Sequence, residues 1–407
     1  MAGSVIRLPI TNALALGDYT AQIGLGSEGA VANVLLDTGS STLAVQAGAY
    51  DPSADSSLVA TPLAQDVLYG TGGWTGPVVK TRLAMGEGGA AVEIDSYLAL
   101  ADAQERGNFT GYDGILGLAY NVLNSAYNLS HYLGEQGHKP AVTYPWPFKV
   151  GNSKAALQQF LTWLSRKPSE DLPPYFTALA AANVEKDKFA FYTLRSYPSA
   201  RQKDLSKDPL NNGYFIIGGG EEQTDLYDGT FVSIDVVDDQ YFNVNLQAVQ
   251  VGNDDPVAVK PLAAADAKSM GSNAIVDSGT NALLVAPDVY EAIVNGFNRL
   301  NPTFGRQLQQ GQEGVGLDAG DVDLASWPDI TFSFQPETGT TPTKLSCAPS
   351  TYWQVDSPER GRAAFVIANI GSVQSILGLP LLNNYYTIFD RTQDAYGAIR
   401  FAPIRRP

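Results

Sequence analysis

Two aspartates stand in matching sequence surroundings and are the first candidates for chemistry. Asp37 follows the apolar residues 34–36 and begins an Asp-Thr-Gly-Ser motif, whereas Asp277 follows residues 274–276 and begins Asp-Ser-Gly-Thr. The two positions are 277 − 37 = 240 residues apart. A buried aspartate is costly to desolvate unless the following turn supplies donors, and glycine lets backbone N–H groups approach it closely. Each motif therefore predicts a strand that ends on a carboxylate whose charge is stabilised by hydrogen bonds from the following turn. Such a carboxylate is suited to acid–base chemistry.

One such motif would carry little weight, because a buried aspartate before a glycine turn usually stabilises that turn. Two motifs after matching strands favour catalysis instead. Hydroxyl and glycine residues surround both carboxylates: Thr38, Gly39 and Ser40 at the first, and Ser278, Gly279 and Thr280 at the second.

Other kinds of active site are disfavoured. The two histidines, His131 and His138, have no Cys/His ligand cluster around them, so we expect no metal site and no cofactor. The sequence has no Gly-x-Ser-x-Gly motif, which argues against a serine triad on an α/β-hydrolase turn.

Composition indicates the class of fold that must position the aspartates. A chain of 407 residues exceeds the usual size of a single core, so two domains or two related halves are expected. With 40 glycines and 24 prolines, the chain has many turns and short strands. We predict an all-β fold, that is, mainly β with short helices.

Charge and cysteine content restrict the partners and the compartment. A formal net charge of −16 argues against a basic surface that binds nucleic acid. The negative charge is explained either by its contribution to solubility or by an enzyme that functions at low pH. No run of about 18 apolar residues occurs, so no membrane span is expected. Cys347 is the single cysteine, which excludes an intrachain disulfide, and no export signal opens the chain. We expect a cytoplasmic protein, although a trimmed leader would leave the same sequence.

The chain in order is rich in hairpin patterns. Residues 18–26 and 240–252 alternate apolar and polar positions, one stretch before each aspartate motif. Residues 68–76 form a glycine-rich tip between two strand-like arms, which could fold over a cleft. A phosphate-binding loop is the weaker alternative there, since no Walker-type Lys-Ser/Thr pair or helix follows.

Each half also carries an Ile-Leu-Gly sequence after its aspartate motif, at residues 115–117 and 376–378. Such an apolar pair ending in glycine predicts a buried strand that passes tightly against another backbone, most simply the aspartate loop of its own half.

The segment near 121–172 interrupts this β-type sequence. It holds both histidines and a helical pattern around residues 155–164, so we interpret it as an insertion. A polar stretch over residues 196–212 suggests the boundary between an N-terminal lobe, residues 1–212, and a C-terminal lobe, residues 213–407.

The ordered set of motifs resembles that of pepsin-type aspartic peptidases. The set comprises Asp-Thr-Gly-Ser, Tyr-Gly-Thr-Gly, Asp-Gly-Ile-Leu-Gly-Leu, Asp-Ser-Gly-Thr, a second Ile-Leu-Gly and the ending Gly-Ala-Ile-Arg-Phe-Ala, and it spans almost the whole chain. The resemblance implies a bilobal fold of two related β-barrel-like lobes about a pseudo-twofold axis, with a central cleft. Asp37 and Asp277 would face each other across that axis.

The resemblance also implies roles for the neighbouring residues. Thr38 and Ser278 would join the two loops by a crossed hydrogen-bond network, and Ser40 and Thr280 would bind the outer carboxylate oxygens. A flap would close over the substrate with these residues: Tyr69, Gly70, Thr71 and Trp74.

Departures from the family pattern indicate a subtype. Many members have a tryptophan where this chain has Ala44, while Trp74 lies within the flap, as in the β-secretase branch. Trp74 would orient the Tyr69 hydroxyl through its indole N–H, or else it is a partly exposed flap aromatic. The expected absence of disulfides and of a leader resembles the pattern of bacterial pepsin homologues of the shewasin type.

The expected function is therefore an aspartic endopeptidase that hydrolyses peptide bonds between apolar residues at acidic pH, with two aspartates activating a water. Its partners would be peptide or protein substrates and pepstatin-type inhibitors, with no nucleic acid or membrane, and we expect a monomer. The alternative is a non-catalytic pepsin-like protein that binds peptides or acts as an inhibitor. Such proteins usually lose an aspartate, a supporting hydroxyl or the flap tyrosine, and this sequence keeps all of them.

Overall fold

The protein is described from a computed structural model, which covers residues 5–15, 17–69, 72–86, 91–104, 109–151, 153–182, 186–312, 316–392 and 396–407. Within these ranges the chain is mainly β with short helices, as the sequence predicts. No helix in the described ranges is both long enough and apolar enough to span a membrane.

The strands of the first part of the chain are β1 (Ile6–Ala15), β2 (Asp18–Leu25), β3 (Ala30–Asp37), β4 (Leu43–Gln46), β5 (Val59–Tyr69), β6 (Gly72–Met85), β7 (Val92–Ala101), β8 (Ala103–Gln104), β9 (Gly114–Gly117), β10 (Ser125–Asn128) and β11 (Ser169–Asp171).

The later strands are β12 (Lys188–Tyr192), β13 (Asn212–Ile217), β14 (Val232–Asp235), β15 (Asn243–Val244), β16 (Leu246–Val251), β17 (Val257–Ala258), β18 (Ala274–Val276), β19 (Leu283–Val285), β20 (Leu317–Asp318), β21 (Ile330–Phe334), β22 (Thr343–Cys347), β23 (Trp353–Val355), β24 (Arg362–Phe365), β25 (Ile367–Asn369), β26 (Ser375–Leu377), β27 (Tyr385–Asp390) and β28 (Ala398–Pro403).

The helices are α1 (Ser130–Glu135), α2 (Lys154–Leu164), α3 (Tyr175–Ala181), α4 (Ala264–Met270), α5 (Pro287–Leu300), α6 (Phe304–Gln312), α7 (Pro349–Tyr352) and α8 (Leu379–Leu382). Helix α2 matches the helical pattern predicted around residues 155–164. Its Ser153 side chain accepts a hydrogen bond from the backbone N–H of Ala156, which satisfies one of the donors left free at a helix start.

Contacts divide the described residues into two compact units, one within residues 20–185 and the other within 3–19 and 186–407. This grouping differs from the predicted lobe boundary between residues 212 and 213. The reason is strand pairing: β1 pairs with β13 from Ile6↔Ile217 to Thr11↔Asn212, and β13 pairs with β12. The first strand and residues 186–212 therefore join the later unit, although they flank the earlier one in sequence.

The unit of residues 20–185 is built on one sheet with the strand order β11-β10-β5-β6-β7-β4-β9-β3-β2. Strand β6 also pairs with β2, through Gly24↔Ala84 and Leu25↔Leu83. Six strands, from β6 through β7, β4, β9 and β3 to β2, thus close into a barrel-like sheet. Alternate side chains fill its interior, because successive residues of a strand point to opposite faces.

In the described part of the other unit, six strands lie side by side in the order β1-β13-β12-β27-β28-β14. A five-stranded sheet has the order β15-β18-β26-β19-β25. Two smaller sheets have the orders β17-β16-β21-β22 and β20-β24-β23. The five-stranded sheet carries the second aspartate motif at the end of β18.

The strands next to the two aspartates repeat one topology. Strand β3 is antiparallel to β2 and parallel to β9, while β4 is antiparallel to β9 and parallel to β7. In the other unit, β18 is antiparallel to β15 and parallel to β26, while β19 is antiparallel to β26 and parallel to β25. The two units are therefore built on the same five-stranded arrangement, as the duplicated motifs predict.

The segment 121–172 forms β10, α1, α2 and β11 on the edge of the β5–β6 hairpin. Strand β10 pairs with β5 through Tyr127↔Ala64, and β11 pairs with β10. A cluster of buried and half-buried side chains packs helices α1 and α2 against Ala64: Leu129, Leu133, Leu164, Tyr127, Tyr132, Ala141, Trp146, Phe148, Phe160 and Trp163. The segment thus has a small core of its own and lengthens the sheet at β5.

Candidate active site

The first aspartate lies at the end of β3 and is held by its own loop. Asp37 is 8% exposed, and its Oδ1 accepts a hydrogen bond from the Gly39 backbone N–H at 2.8 Å. Its Oδ2 accepts from the Ser40 hydroxyl at 2.5 Å. The Asp37 carbonyl in turn accepts from the Leu118 N–H at 2.8 Å, which ties the loop to the end of β9. The buried carboxylate therefore has the donors that its desolvation requires.

The second aspartate repeats this arrangement at the end of β18. Asp277 is 7% exposed, its Oδ1 accepts from the Gly279 N–H at 2.8 Å, and its Oδ2 accepts from the Thr280 hydroxyl at 2.6 Å. The backbone N–H of Asp277 donates to the Leu377 carbonyl on β26 at 3.1 Å. Both motifs thus present one carboxylate oxygen to a glycine N–H and the other to a hydroxyl.

The glycines of the two Ile-Leu-Gly sequences pass directly against these loops. A Cβ on Gly117 would lie 2.4–2.5 Å from backbone atoms of Ser41, and one on Gly378 would lie 2.1 Å from the Thr280 carbonyl oxygen. Real Cβ atoms do not approach so closely, so only glycine fits at either position. The sequence-based prediction that each Ile-Leu-Gly packs on the aspartate loop of its own half is confirmed.

The supporting residues of both motifs are buried or nearly so. Thr38 and Ser278 are almost completely inaccessible to solvent, and each has interactions within the protein. Their predicted crossed network stays a prediction.

The flap residues are described only in part. Tyr69 ends β5, and its backbone pairs with Gly72 at the start of β6, which confirms the predicted hairpin. The Tyr69 side chain and the whole of Gly70 and Thr71 lie outside the described residues.

Trp74, on β6, is fully buried. The alternative that it is a partly exposed aromatic is therefore wrong. It belongs to the same hydrophobic cluster as Ala44, Leu63 and Ile115, so a small residue at position 44 accompanies the large indole on β6. Its indole Nε1 is buried with no hydrogen-bond partner among the described residues, and its predicted bond to the Tyr69 hydroxyl stays a prediction.

Sequence analysis did not single out Asp18, whose carboxyl feels the charge of Asp277. Burial raises the pKa of its carboxyl to about 7, and the charge of Asp277 raises it further in the same direction. Tyr197 lies near the same group, since burial and then the charge of Asp18 raise the pKa of its hydroxyl. Asp18 opens β2 in an ordinary hairpin pattern, so no local signal distinguishes it. The charge that adds to the effect of burial belongs to a residue 277 − 18 = 259 positions away.

Asn124 was also missed. Its buried amide binds Thr42, just beyond the Asp37 motif, and Gln65 on β5. Asparagine is common in loops, and nothing in its sequence surroundings marks it. Among the described residues, no group of three or more His, Cys, Asp or Glu side chains is arranged to hold a metal ion.

A comparison with protein families decides the class. The family model described as eukaryotic aspartyl protease matches residues 18–137 and 176–403, which include both aspartate motifs. This chain belongs to the eukaryotic aspartyl protease family. Residues 138–175, which the family match leaves out, coincide with most of the segment 121–172.

Individual members of this family align with nearly the full chain. Pepsin-2B of Gadus morhua is 26% identical over 410 positions, which cover 95% of this chain and 96% of that protein. The vacuolar aspartic protease of Candida albicans is 24% identical and covers 97% of this chain and 78% of its own length. Pepsin A of Sus scrofa is 24% identical, with 93% and 80% covered. The family membership makes this protein a pepsin-like aspartic endopeptidase, which acts on peptides or proteins.

Proposed function

We propose that Asp37 and Asp277 are the two catalytic carboxylates, and that the enzyme cleaves peptide bonds between apolar residues at acidic pH. The observation that carries the proposal is the duplicated hydrogen-bond pattern. In each motif one carboxylate oxygen accepts from a glycine N–H and the other from a hydroxyl three residues after the aspartate. Two carboxylates that act as a pair need equivalent and fixed orientations. In each motif, the hydrogen bonds from residues two and three positions later fix the orientation of the carboxylate.

The chemistry follows from the behaviour of two neighbouring carboxyl groups. Like charges at short distance oppose double ionisation, so such a pair keeps one proton over an acidic range. The ionised member accepts a proton from a water molecule as the water oxygen attacks the peptide carbonyl carbon. The protonated member donates its proton to the carbonyl oxygen, which gives a gem-diol. The diol then collapses as the C–N bond breaks and the amine takes a proton, so no covalent enzyme intermediate forms.

The neighbouring residues have supporting roles in this proposal. Thr38 and Ser278 link the two loops, and the hydroxyls of Ser40 and Thr280 fix the carboxylates. A flap at the tip of the β5–β6 hairpin closes over the substrate through Tyr69, Gly70 and Thr71, and the Trp74 indole N–H orients the Tyr69 hydroxyl. An extended substrate is gripped by backbone hydrogen bonds and by pockets for alternate side chains. Pepstatin-type inhibitors would occupy the same cleft.

A non-catalytic, peptide-binding protein is the less favoured function. That role tolerates the loss of an aspartate or of a supporting hydroxyl, whereas here both carboxylates keep a glycine N–H and a hydroxyl as donors. No observation in the described residues favours the alternative.

We further propose that the enzyme works as a monomer in the cytoplasm and belongs with the bacterial, shewasin-type homologues. A single, buried cysteine is compatible with a reducing compartment. At neutral pH the shared proton would be mostly lost, so low activity there would protect cytoplasmic proteins.

The decisive experiment measures cleavage of a quenched peptide with two central apolar residues from pH 3 to 8, with and without pepstatin. Wild type is compared with Asp37→Asn and Asp277→Asn, whose folding is checked by circular dichroism and thermal melting. We expect acidic, pepstatin-sensitive turnover in wild type and a loss of at least about a thousandfold in kcat in either variant, because each carboxylate is required for proton transfer.

Asp228→Asn is the matched control, because Asp228 is exposed and pairs with Arg405 at the surface. It should keep wild-type turnover. Unchanged peptide cleavage in a folded Asp37→Asn or Asp277→Asn protein would overturn the assignment of the catalytic pair. Peptide binding without turnover in wild type at every pH would favour the non-catalytic alternative.

A further inference from the structure

We propose that Asn124 is a positioning residue that holds the Asp37 loop and the base of the β5–β6 hairpin in a fixed relation. The inference rests on the proposed function, because it concerns the alignment of the catalytic Asp37 with the flap. Asn124 lies between β9 and β10, at the start of the segment 121–172, and is 4% exposed. Its side chain makes three hydrogen bonds to three different parts of the unit.

The amide oxygen joins the catalytic loop to the hairpin. Asn124 Oδ1 accepts from the Thr42 hydroxyl at 2.9 Å and from Gln65 Nε2 at 2.8 Å. Thr42 stands two residues after Ser40, whose hydroxyl binds the Asp37 carboxylate. Gln65 lies on β5, four residues before Tyr69. One oxygen atom therefore bridges the loop that carries the carboxylate and the strand that carries the flap tyrosine.

The amide nitrogen closes the base of the segment 121–172. Asn124 Nδ2 donates to the Leu172 carbonyl at 3.0 Å, and the Leu172 N–H donates back to the Asn124 carbonyl at 2.9 Å. Leu172 follows β11, which pairs with β10. The two ends of the segment are thus held together at the residue that also binds the loop and the hairpin.

The hairpin is fixed at this level from both sides. The Thr75 hydroxyl on β6 donates to the Gln65 carbonyl at 3.0 Å, next to the buried Trp74. On the outer side of β5, the Thr143 hydroxyl donates to the Leu63 carbonyl at 2.5 Å. The base of the hairpin is therefore bonded to the Asp37 loop, and Asn124 sets the relation between the two.

Only certain side chains can take this place. The site needs an acceptor for two donors and a donor for one carbonyl, inside a region where Thr42 and Gln65 are also buried. An amide meets both needs at every pH. A leucine of similar size removes the acceptor that the Thr42 hydroxyl and Gln65 Nε2 share, and it removes the donor to the Leu172 carbonyl. Gln65 Nε2 would then keep only its longer bond to the Ser125 carbonyl at 3.3 Å, and these buried groups would be poorly satisfied. An ionised aspartate at position 124 has only acceptor oxygens, so it would place one of them against the Leu172 carbonyl oxygen and lose that hydrogen bond. A protonated aspartate could donate to the Leu172 carbonyl and still accept from Thr42 and Gln65, which would restore all three bonds.

The test compares Asn124→Leu and Asn124→Asp with wild type, using kcat and KM for the quenched peptide between pH 4 and 6.5. For Asn124→Leu we expect kcat to fall by about tenfold or more at every pH, with KM changed by less than about threefold, because misalignment mainly affects the reacting geometry. For Asn124→Asp we expect a similar loss at pH 6.5. At pH 4 its kcat should recover to within about threefold of wild type, because burial favours the protonated carboxyl.

Asn211 provides the matched control in the other unit. It is 0% exposed and also makes three side-chain hydrogen bonds, with the Ser199 N–H, the Ser199 carbonyl and the Leu205 carbonyl. Asn211→Leu and Asn211→Asp should lower the melting temperature while their kcat per folded molecule stays at the wild-type value and shows no recovery at pH 4.

Two results would overturn the proposal. One is an Asn124→Leu protein that melts earlier but keeps the wild-type kcat, which would make Asn124 merely structural. The other is a ratio of the Asn124→Asp kcat to the wild-type kcat that is the same at pH 4 and pH 6.5. This second result would overturn the proposal even if Asn124→Leu fails to fold. Failure of the proposed function is seen separately, because Asp37→Asn would then leave turnover unchanged.

Discussion

Gly117 lies so close to Ser41 that a Cβ on residue 117 would be 2.5 Å from the Ser41 Cα. This contact joins β9 to the loop that follows Asp37, and the parallel pairing of Asp37 with Gly117 lies at the same level. The absence of one side chain therefore lets two backbones meet directly behind the carboxylate.

Gly117→Ala should consequently displace the Asp37 loop. The nearest atoms are backbone, which cannot rotate away as a side chain can, so we expect a loss of about 1–3 kcal/mol of unfolding free energy. We also expect kcat/KM to fall by about tenfold or more, since small displacements of a reacting group are costly. Denaturant unfolding and peptide kinetics measure the two effects.

Gly134→Ala is the control for that prediction. Gly134 lies in α1, and a Cβ there would have no atom within 4 Å. Alanine should leave activity unchanged and stabilise the helix slightly. Equal effects at positions 117 and 134 would contradict the role assigned to the close approach.

Thr280→Ala should reduce activity while keeping the fold. The substitution removes the hydroxyl that donates to Asp277 Oδ2 at 2.6 Å, which leaves the carboxylate with a less defined orientation. A charged group that loses one hydrogen bond typically loses about 1.5–3 kcal/mol of interaction, which corresponds to roughly 10–150-fold in kcat if the bond persists in the transition state.

Thr280→Ser keeps the hydroxyl and serves as the comparison for that substitution. Its kcat should lie within about threefold of wild type, and both variants should have wild-type circular dichroism. If Ser and Ala at position 280 gave the same kcat, the hydroxyl would have no part in positioning Asp277.

Stability should fall as pH rises from about 4 to about 7. Burial raises the pKa of Asp18 to about 7, with a further contribution from the charge of Asp277, and burial raises the pKa of Asp66 to about 6. In this window the folded protein binds more protons than the unfolded chain, whose aspartates titrate near pH 4. The stabilisation is therefore complete below about pH 4 and is lost as pH rises through the folded pKa values.

Asp18→Asn tests this pH dependence. The neutral amide should flatten the decline of the melting temperature between pH 4 and 8, and at pH 8 the variant should be the more stable protein by on the order of 1 kcal/mol, a value reduced for the partial exposure of Asp18. A variant with the same pH slope as wild type would show that Asp18 is not the group responsible.

Asp55 should have the opposite pH dependence. Burial alone would raise its pKa, but hydrogen bonds from Ser57, Thr81 and Tyr50 outweigh that effect and hold the pKa well below its usual range. Its stabilisation is present above about pH 4 and is lost as pH falls through the folded pKa. Asp55→Asn should cost about 3 kcal/mol at pH 7, because hydrogen bonds to a charged acceptor are replaced by weaker ones.

The exposed Asp51 is the control for Asp55, since its side chain accepts hydrogen bonds from the backbone N–H and the hydroxyl of its near neighbour Ser53. Asp51→Asn should unfold at the wild-type denaturant concentration. Similar midpoints for the two variants at pH 7 would contradict a special role for Asp55.

Much of the candidate site could be predicted from the sequence because its interactions are local. The carboxylate of Asp37 is bound by groups two and three residues later, and the same holds for Asp277, so a short motif contains both the acid and its donors. The glycine of each Ile-Leu-Gly was predictable for a related reason, since a missing Cβ signals a close backbone approach.

The fold class could also be predicted from the sequence, whereas the grouping of the strands into two units could not. Alternating patterns and frequent turn residues indicate β-structure from short windows. Which strands pair depends on partners far apart, and the pairing of β1 with β13 joins residues more than 200 positions apart. No local pattern in residues 6–15 specifies that partner.

By itself the sequence determined the two aspartates, their immediate donors and the β character of the chain, because these depend on neighbours within a few residues. Only the tertiary structure decided that Asn124 binds residues 82 and 59 positions away, and that Asp18 lies within the electrostatic reach of Asp277. The physical reason is that burial and hydrogen bonding are set by whatever the folded chain brings into contact. An asparagine in a loop and an aspartate at a strand start acquire their properties only from those distant neighbours.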